Sequence, residues 1–217
     1  MDLRHSIRKS VLGISIFAAV TAGLIATTHV LTRDRIETNH QEHQARALYE
    51  IIPRHVDENL HLNTWEMNLP ELGASNPVIV FRAIEDQEVK AVIIPVIAQD
   101  GYSGDIEMLV GIWQDGRTAG VRVLSHKETP GLGDKIELAK SNWILDFDDA
   151  QYQVQEAYRW NVRKDGGDFD QFTGATITPR AVVRMVSRTL QTFEQRRIDF
   201  LSLPTQDTQL SETRNGN

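Results

Sequence analysis

Two short segments carry residues whose types and order could do chemistry. One is His126–Gly133, H-K-E-T-P-G-L-G, and the other is Asp170–Pro179, D-Q-F-T-G-A-T-I-T-P. In the second, Thr173 and Thr176 place hydroxyls on either side of Gly174 and Ala175, two very small residues that let a bulky group approach the backbone. A helix start follows, with Thr178 suited to the N-cap and Pro179 to the first helical position. A helix N-terminus offers unpaired N–H donors and the positive end of a dipole. A threonine hydroxyl beside it makes a seat for a phosphate. The same residues also fit a plain capped turn, in which Thr176 and Thr178 bond local backbone N–H groups. Chemistry alone favours the capped turn. The pattern D-x-x-[ST]-G-A-[ST] weighs against it, because average residue usage produces it in only on the order of one chain in a thousand of this length.

Several other chemistries are excluded by composition. The 217 residues include no cysteine. A disulfide framework, a thiolate zinc site, an all-cysteine iron–sulfur cluster and a nucleophilic thiol are therefore all impossible. A formal net charge of −7 does not suit nucleic-acid binding, which needs a basic face. Neither a G-x-G-x-x-G nor a P-loop pattern is present. His40 and His43 lie one helical turn apart but lack a third ligand at fitting spacing, so they read as a solvated helix face rather than a metal site. Arg180, Arg184 and Arg188 read likewise as an exposed helix face.

The elements that must position the two segments begin with a membrane span. The mean hydropathy is that of a soluble protein, but no charged residue occurs from Ser10 to Thr32. The stretch 11–31 is long enough to cross roughly 30 Å of hydrocarbon as a helix. It is too long for a signal-peptide core, and no clean small-x-small cleavage site follows it. Arg4, Arg8 and Lys9 precede it, whereas Arg33 and Arg35 follow. The basic bias favours a cytoplasmic N-terminus and an external C-terminal domain. The expected organisation is a cytoplasmic N-terminus (1–10), a transmembrane helix (11–31), a weakly amphipathic stalk helix (32–53) stopped by Pro53, an external domain (54–203) and a disordered polar tail (204–217).

Within the domain, 58–77 reads as irregular. Strands are expected over 78–84, 89–98, 106–114 and 119–125. Pro95 implies an edge position or a bulge, and Asp115-Gly116 is a strong hairpin signal. A short helix is expected over 134–141, and a helix or strand pair over 143–147 and 152–162. Val182, Val183, Val186, Leu190 and Phe193 recur at three- and four-residue steps, the apolar face of a helix. The fold class is α+β: one transmembrane helix, a helical stalk, then an antiparallel sheet with flanking helices.

On the two quoted segments, the chain resembles the FMN-binding domain family. D-x-x-[ST]-G-A-[ST] looks like the acceptor motif for covalent flavin attachment, and H-x-E-T-P-G-L-G like the second signature of the same domain. With the N-terminal anchor, the resemblance extends over essentially the whole chain to the G subunits of the Rnf (Rsx) electron-transport complex. The C subunit of the sodium-translocating NADH:quinone reductase shares the domain, but usually carries a longer insertion between anchor and motifs. The resemblance implies FMN held as a phosphoester on Thr176, with Asp170 and Thr173 read by a flavin transferase that draws FMN from FAD. It implies that Gly174 and Ala175 keep the acceptor accessible. Thr129 and Leu132 would sit against the isoalloxazine, and Glu128, Gly131 and Gly133 would shape their loop.

The function implied is electron relay within an ion-translocating ferredoxin/NAD complex in a bacterial inner membrane. The implied partners are other membrane subunits, the transferase and the lipid bilayer. No stand-alone catalysis is expected. The rival reading is a cofactor-free bitopic sensor or assembly module, which the anchor and a single α+β domain fit equally well.

Overall fold

The computed structural model describes residues 3–203, with side chains from Ile7 onward except Ser10, Asp34 and 36–41. The tail expected over 204–217 and the side chains of Arg4 and His40 therefore lie outside the described residues. The chain divides into two compact units, residues 1–44 and 45–217.

The first unit is helical. Helix α1, Leu3–Ile51, begins in it, and Ile7–Arg33 is long and apolar enough to cross a membrane. Its large side chains are exposed all along this stretch, among them Leu12, Phe17, Leu24 and Leu31. A helix with apolar groups all round has no reason to stand in water, whereas lipid solvates every face of it.

The second unit begins at Ala45, not after Pro53 as expected. Ala47, Leu48, Ile51 and Ile52 are buried against Phe81, Ala83, Ala91, Ile93 and Leu109, so the last turns of α1 belong to this unit's core. The buried Arg122 guanidinium reinforces them with a 3.0 Å hydrogen bond to Glu50.

Five antiparallel strands form one sheet in sequence order: β1 (Thr64–Met67), β2 (Val78–Glu85), β3 (Glu88–Ala98), β4 (Ile106–Trp113) and β5 (Thr118–Ser125). The expected meander is present, with one strand more than the sequence indicates. β1 has only four residues and lies within the stretch that reads as irregular. The β2–β3 turn places Asp86 and Gln87 at positive φ, as a tight hairpin demands. Pro95 lies in the central strand, yet at a local edge. The β2–β3 ladder ends at Phe81–Ile93, while Pro95 stands opposite Leu109 of β4. A missing N–H is tolerated there because nothing pairs on that side.

Both faces of the sheet are covered, which explains the nearly continuous apolar run of β3. Ala91 and Ile93 face the end of α1; Val92, Ile94, Val96 and Ala98 face the larger core. That larger core receives α2 (Ile177–Gln195), whose Val182, Val183, Val186, Leu190 and Phe193 are all buried as the periodicity predicts. α3 (Arg197–Leu201) follows. Its C-terminal carbonyls are capped by buried Arg82, which donates to Asp199 O at 2.9 Å and Ser202 O at 2.6 Å.

The segment between sheet and α2 corrects two expectations. The helix expected over 134–141 is a single 3-10 turn, Gly133–Ile136. The pair expected over 143–162 consists of 3-10 turns, Asn142–Phe147 and Val154–Arg159. These turns wrap a cluster of rings: Trp143 meets Phe147 and Phe172 edge-on, and Phe147 stacks on Phe169 at 4.5 Å. Ring packing fixes this stretch, and it needs no sequence period.

Gly111 on β4 faces the end of α1, and a methyl group there would overlap Ile51 Cγ2. Gly111→Ala is expected to cost about 1–3 kcal/mol through overpacking. Thermal unfolding of the purified chain checks this; an unchanged midpoint would show that Ile51 moves aside freely.

Candidate functional site

Three loops and the start of α2 converge at one end of the sheet. The first loop is D-G-Y-S-G, 100–104, between β3 and β4. The second is Glu128–Gly133 after β5. The third is Phe172–Thr176 before α2.

Both motif loops are built on the same turn. Leu132 N–H donates to Thr129 O at 3.1 Å across Pro130-Gly131, with Gly131 at φ +79°. Ala175 N–H donates to Phe172 O at 3.1 Å across Thr173-Gly174, with Gly174 at φ +83°. Positive φ at the third position, with proline before it in one case, is the type II pattern, which calls for glycine there. The turns touch, since a Cβ on Gly174 would lie 3.4 Å from Leu132 Cδ2.

Glu128 ties the loops together. It is 4% exposed. Its Oε2 accepts from Thr178 Oγ1 at 2.6 Å, and its Oε1 accepts from Ser103 N–H at 3.0 Å. One buried carboxylate thus holds the first loop and the first turn of α2. Gly133 leaves room for this bond, because a Cβ there would lie 2.8 Å from Glu128 Oε2 and 2.9 Å from Thr178 Oγ1. The backbone N–H of Glu128 donates to His126 Nδ1 at 3.0 Å, which leaves the ring proton on Nε2, 2.6 Å from Glu137 Oε1.

Thr178 is therefore not the N-cap. α2 starts at Ile177, two residues earlier than expected, and Thr176 occupies the cap position. The backbone of Thr176 is already helical (φ −82°, ψ −28°), and its side chain makes no capping hydrogen bond. The alternative in which both hydroxyls cap the turn does not occur: Thr178 is engaged by Glu128, and Thr176 is left half-buried with its hydroxyl uncommitted. Pro179, third in the helix rather than first, still falls among the positions whose N–H has no intrahelical partner.

A cleft of about 210 Å³ opens between the loops, lined by Tyr102, Glu128, Thr129, Leu132, Gly133, Gly174, Ala175, Thr176, Ile177 and Thr178. Eight of these carry sequence expectations. Tyr102 and Ile177 do not. Tyr102 sits in a segment legible only as a turn, and Ile177 lies between two threonines whose hydroxyls carry the stronger signal. Gly131 shapes its turn without lining the cleft, and Thr173 is exposed beside it.

Asp170 lies elsewhere. Its carboxylate pairs with Arg163 at 3.0 Å on the rim of a second, charged cleft of about 550 Å³. Its carbonyl accepts from Trp143 Nε1 at 2.8 Å, so the aromatic cluster fixes where the motif begins. Arg180 clamps the neighbouring turn through Asp165 at 2.6 Å; this hydrogen bond and the guanidinium charge hold the Asp165 carboxyl below its ordinary range. Arg184 pairs with Asp100 at 2.7 Å. Two of the three helix arginines thus brace loops rather than merely facing solvent, and Asp100, the partner of Arg184, opens the loop that carries Tyr102.

The residues fit a flavin phosphate and ring. The mouth of α2 supplies orphan N–H groups and the positive dipole end beside a free hydroxyl. Gly174 supplies close approach. The exposed side chains of Leu132, Ile177 and Tyr102 supply apolar contact.

Comparison with known proteins agrees. A family model described as FMN-binding domain matches residues 101–191, and one described as RnfG N-terminal region matches 1–51. A Vibrio parahaemolyticus protein, named as the G subunit of an ion-translocating oxidoreductase complex, is 45% identical over 200 residues, covering 92% of this chain and 95% of its own. Proteins of the same name from Pseudoalteromonas atlantica and Shewanella amazonensis are 46% and 44% identical, over 86% and 87% of this chain and 88% of their own.

Thr178→Val removes a hydrogen bond from a buried carboxylate and is expected to destabilise the domain by about 1–3 kcal/mol. Thr178→Ser should recover most of the loss. Chemical denaturation of both variants measures this, and a Val variant as stable as the Ser variant would deny the bond its role.

Proposed function

The chain belongs to the family of G subunits of ion-translocating oxidoreductase complexes, and on that footing we propose that it carries FMN covalently, as a phosphoester on Thr176. It is a single-pass membrane flavoprotein and an electron-transfer subunit of such a complex. One observation supports the attachment point above others. Of the threonines at the mouth of α2, only Thr176 lines the cleft with a hydroxyl free of local bonds, while Thr178 is occupied by Glu128.

In this reading a flavin transferase joins the Thr176 oxygen to the FMN phosphorus of FAD. The hydroxyl proton is lost and AMP leaves. Asp170 and Thr173, exposed on the approach to the turn, are the residues the transferase reads. Thr129 and Leu132 bear on the ring system. Glu128, Gly131 and Gly133 hold the shape of their loop. The orphan N–H groups of α2 receive the phosphate charge.

FMN supplies redox chemistry in one- and two-electron steps. The chain's own residues position it, and none of them is asked to act as acid or base. The segment 1–10 is cytoplasmic, 11–31 crosses a bacterial inner membrane, and the unit from Ala45 lies in the periplasm. The basic residues preceding the span support this orientation.

The full-length chain produced with a flavin transferase should give a fluorescent band on a denaturing gel. Thr176→Val should abolish that band, whereas Thr178→Ser should retain it. Fluorescence persisting in Thr176→Val would move the attachment elsewhere. An intact mass equal to the bare polypeptide would favour the cofactor-free module.

A further inference from the structure

Tyr102 stands apart from the rings of the core. Trp143, Phe147, Tyr152, Trp160, Phe169 and Phe172 are buried together. Tyr102 lines the cleft at 69% exposure, and its hydroxyl has no hydrogen-bond partner among the described residues. An exposed aromatic is ordinary on a mobile loop, but this one has a rigid mount. On one side, Gly101 is packed so closely that a Cβ would overlap Gly104 O and lie 2.9 Å from Glu128 Oε1. On the other side, Ser103 N–H is held by that same carboxylate oxygen. The backbone on both sides of Tyr102 is thus fixed to the buried group that organises the site. Leu132, 42% exposed, and Ile177, 45% exposed, line the same cleft. Three large exposed side chains around one concavity form an apolar surface that no described residue covers.

We infer that Tyr102 is the aromatic wall of the flavin seat, stacking on one face of the isoalloxazine while Leu132 and Ile177 bound its edge. This rests on FMN being held at Thr176. The D-G-Y-S-G loop is thus a third part of the site, besides the two motif loops. A phenol ring against a flavin offers contact area at low entropic cost, since only two side-chain torsions are fixed. It also quenches flavin emission. The excited flavin takes one electron from the phenol, and the electron returns by recombination, leaving no net chemistry. Phenylalanine stacks equally well but is too hard to oxidise to quench in this way.

The test uses the full-length chain, produced with a flavin transferase and purified in detergent, as wild type, Tyr102→Phe and Tyr102→Leu. Exposure of the side chain means that neither change disturbs the core. Fluorescence on a denaturing gel reports the linkage and should be equal in all three. In the native state the wild type should be dim, with a fast emission decay. Both variants should be several-fold brighter as that decay is lost. The visible circular dichroism of the flavin should survive in Tyr102→Phe and fall in Tyr102→Leu. Native emission and decay of Tyr102→Leu identical to wild type, with the gel band intact, would overturn the inference. A wild-type chain with no gel band would instead overturn the linkage, and the same emission comparison on chains saturated with free FMN would then decide Tyr102 alone.

Discussion

The site depends on one buried carboxylate. Glu128 receives the Thr178 hydroxyl from α2 and the Ser103 N–H from the β3–β4 loop, and its own backbone N–H is fixed by His126. A carboxylate in an apolar interior is tolerated only when donors surround it, and removing one donor leaves charge uncompensated. The loop carrying Tyr102, the loop carrying Leu132 and the start of α2 are thus tied to one group. Gly101 and Gly133 follow from it directly, since a side chain on either would intrude on the carboxylate.

The same bond decides which threonine is free. Three hydroxyls lie within six residues, and a helix mouth would normally recruit one as its cap. Glu128 draws Thr178 into the core, where it is fully buried. The helix consequently starts two residues earlier, and Thr176 enters with helical backbone angles that do not aim its side chain at the N2 or N3 amide. An uncapped helix end is less stable by about 1 kcal/mol than a capped one. It also keeps unsatisfied N–H groups next to an unengaged hydroxyl, the combination a phosphoester requires.

How much of this is legible in the sequence follows from the range of each signal. The two motif loops are readable because Pro130-Gly131 and Gly174 impose turns within four residues, and the apolar face of α2 because its period is local. The apolar span is readable from length and charge alone. The Glu128–Thr178 bond joins residues fifty apart, and nothing near Thr178 distinguishes an N-cap from a core donor. Strand β1 is four residues with a single neighbour, β2, and its pattern is too short to register. The 3-10 turns around Trp143 and Phe169 are set by rings meeting at angles, which no periodicity encodes. Tyr102 escapes notice for the opposite reason. Its local signal, a turn, is clear, but its significance lies in what stands across the cleft.

The size of the cleft gives the proposed linkage its physical sense. Pockets that retain a ligand by contact alone are about 300–1,000 Å³ and bury most of its surface. The concavity at Thr176 is about 210 Å³ and is bounded by half-exposed side chains. It can seat part of a flavin but cannot bury the whole. A shallow seat loses affinity yet leaves an edge of the ring open to a redox partner, and these two properties conflict for a diffusible cofactor. A covalent tether removes the conflict, because the ring's effective concentration at its seat is then set by the tether rather than by the supply of free FMN. A phosphoester to a hydroxyl joins at the end of the ribityl chain, far from the redox-active ring. The seat then needs only to orient the ring, which Tyr102 and Leu132 on two loops and Ile177 at the start of α2 suffice to do.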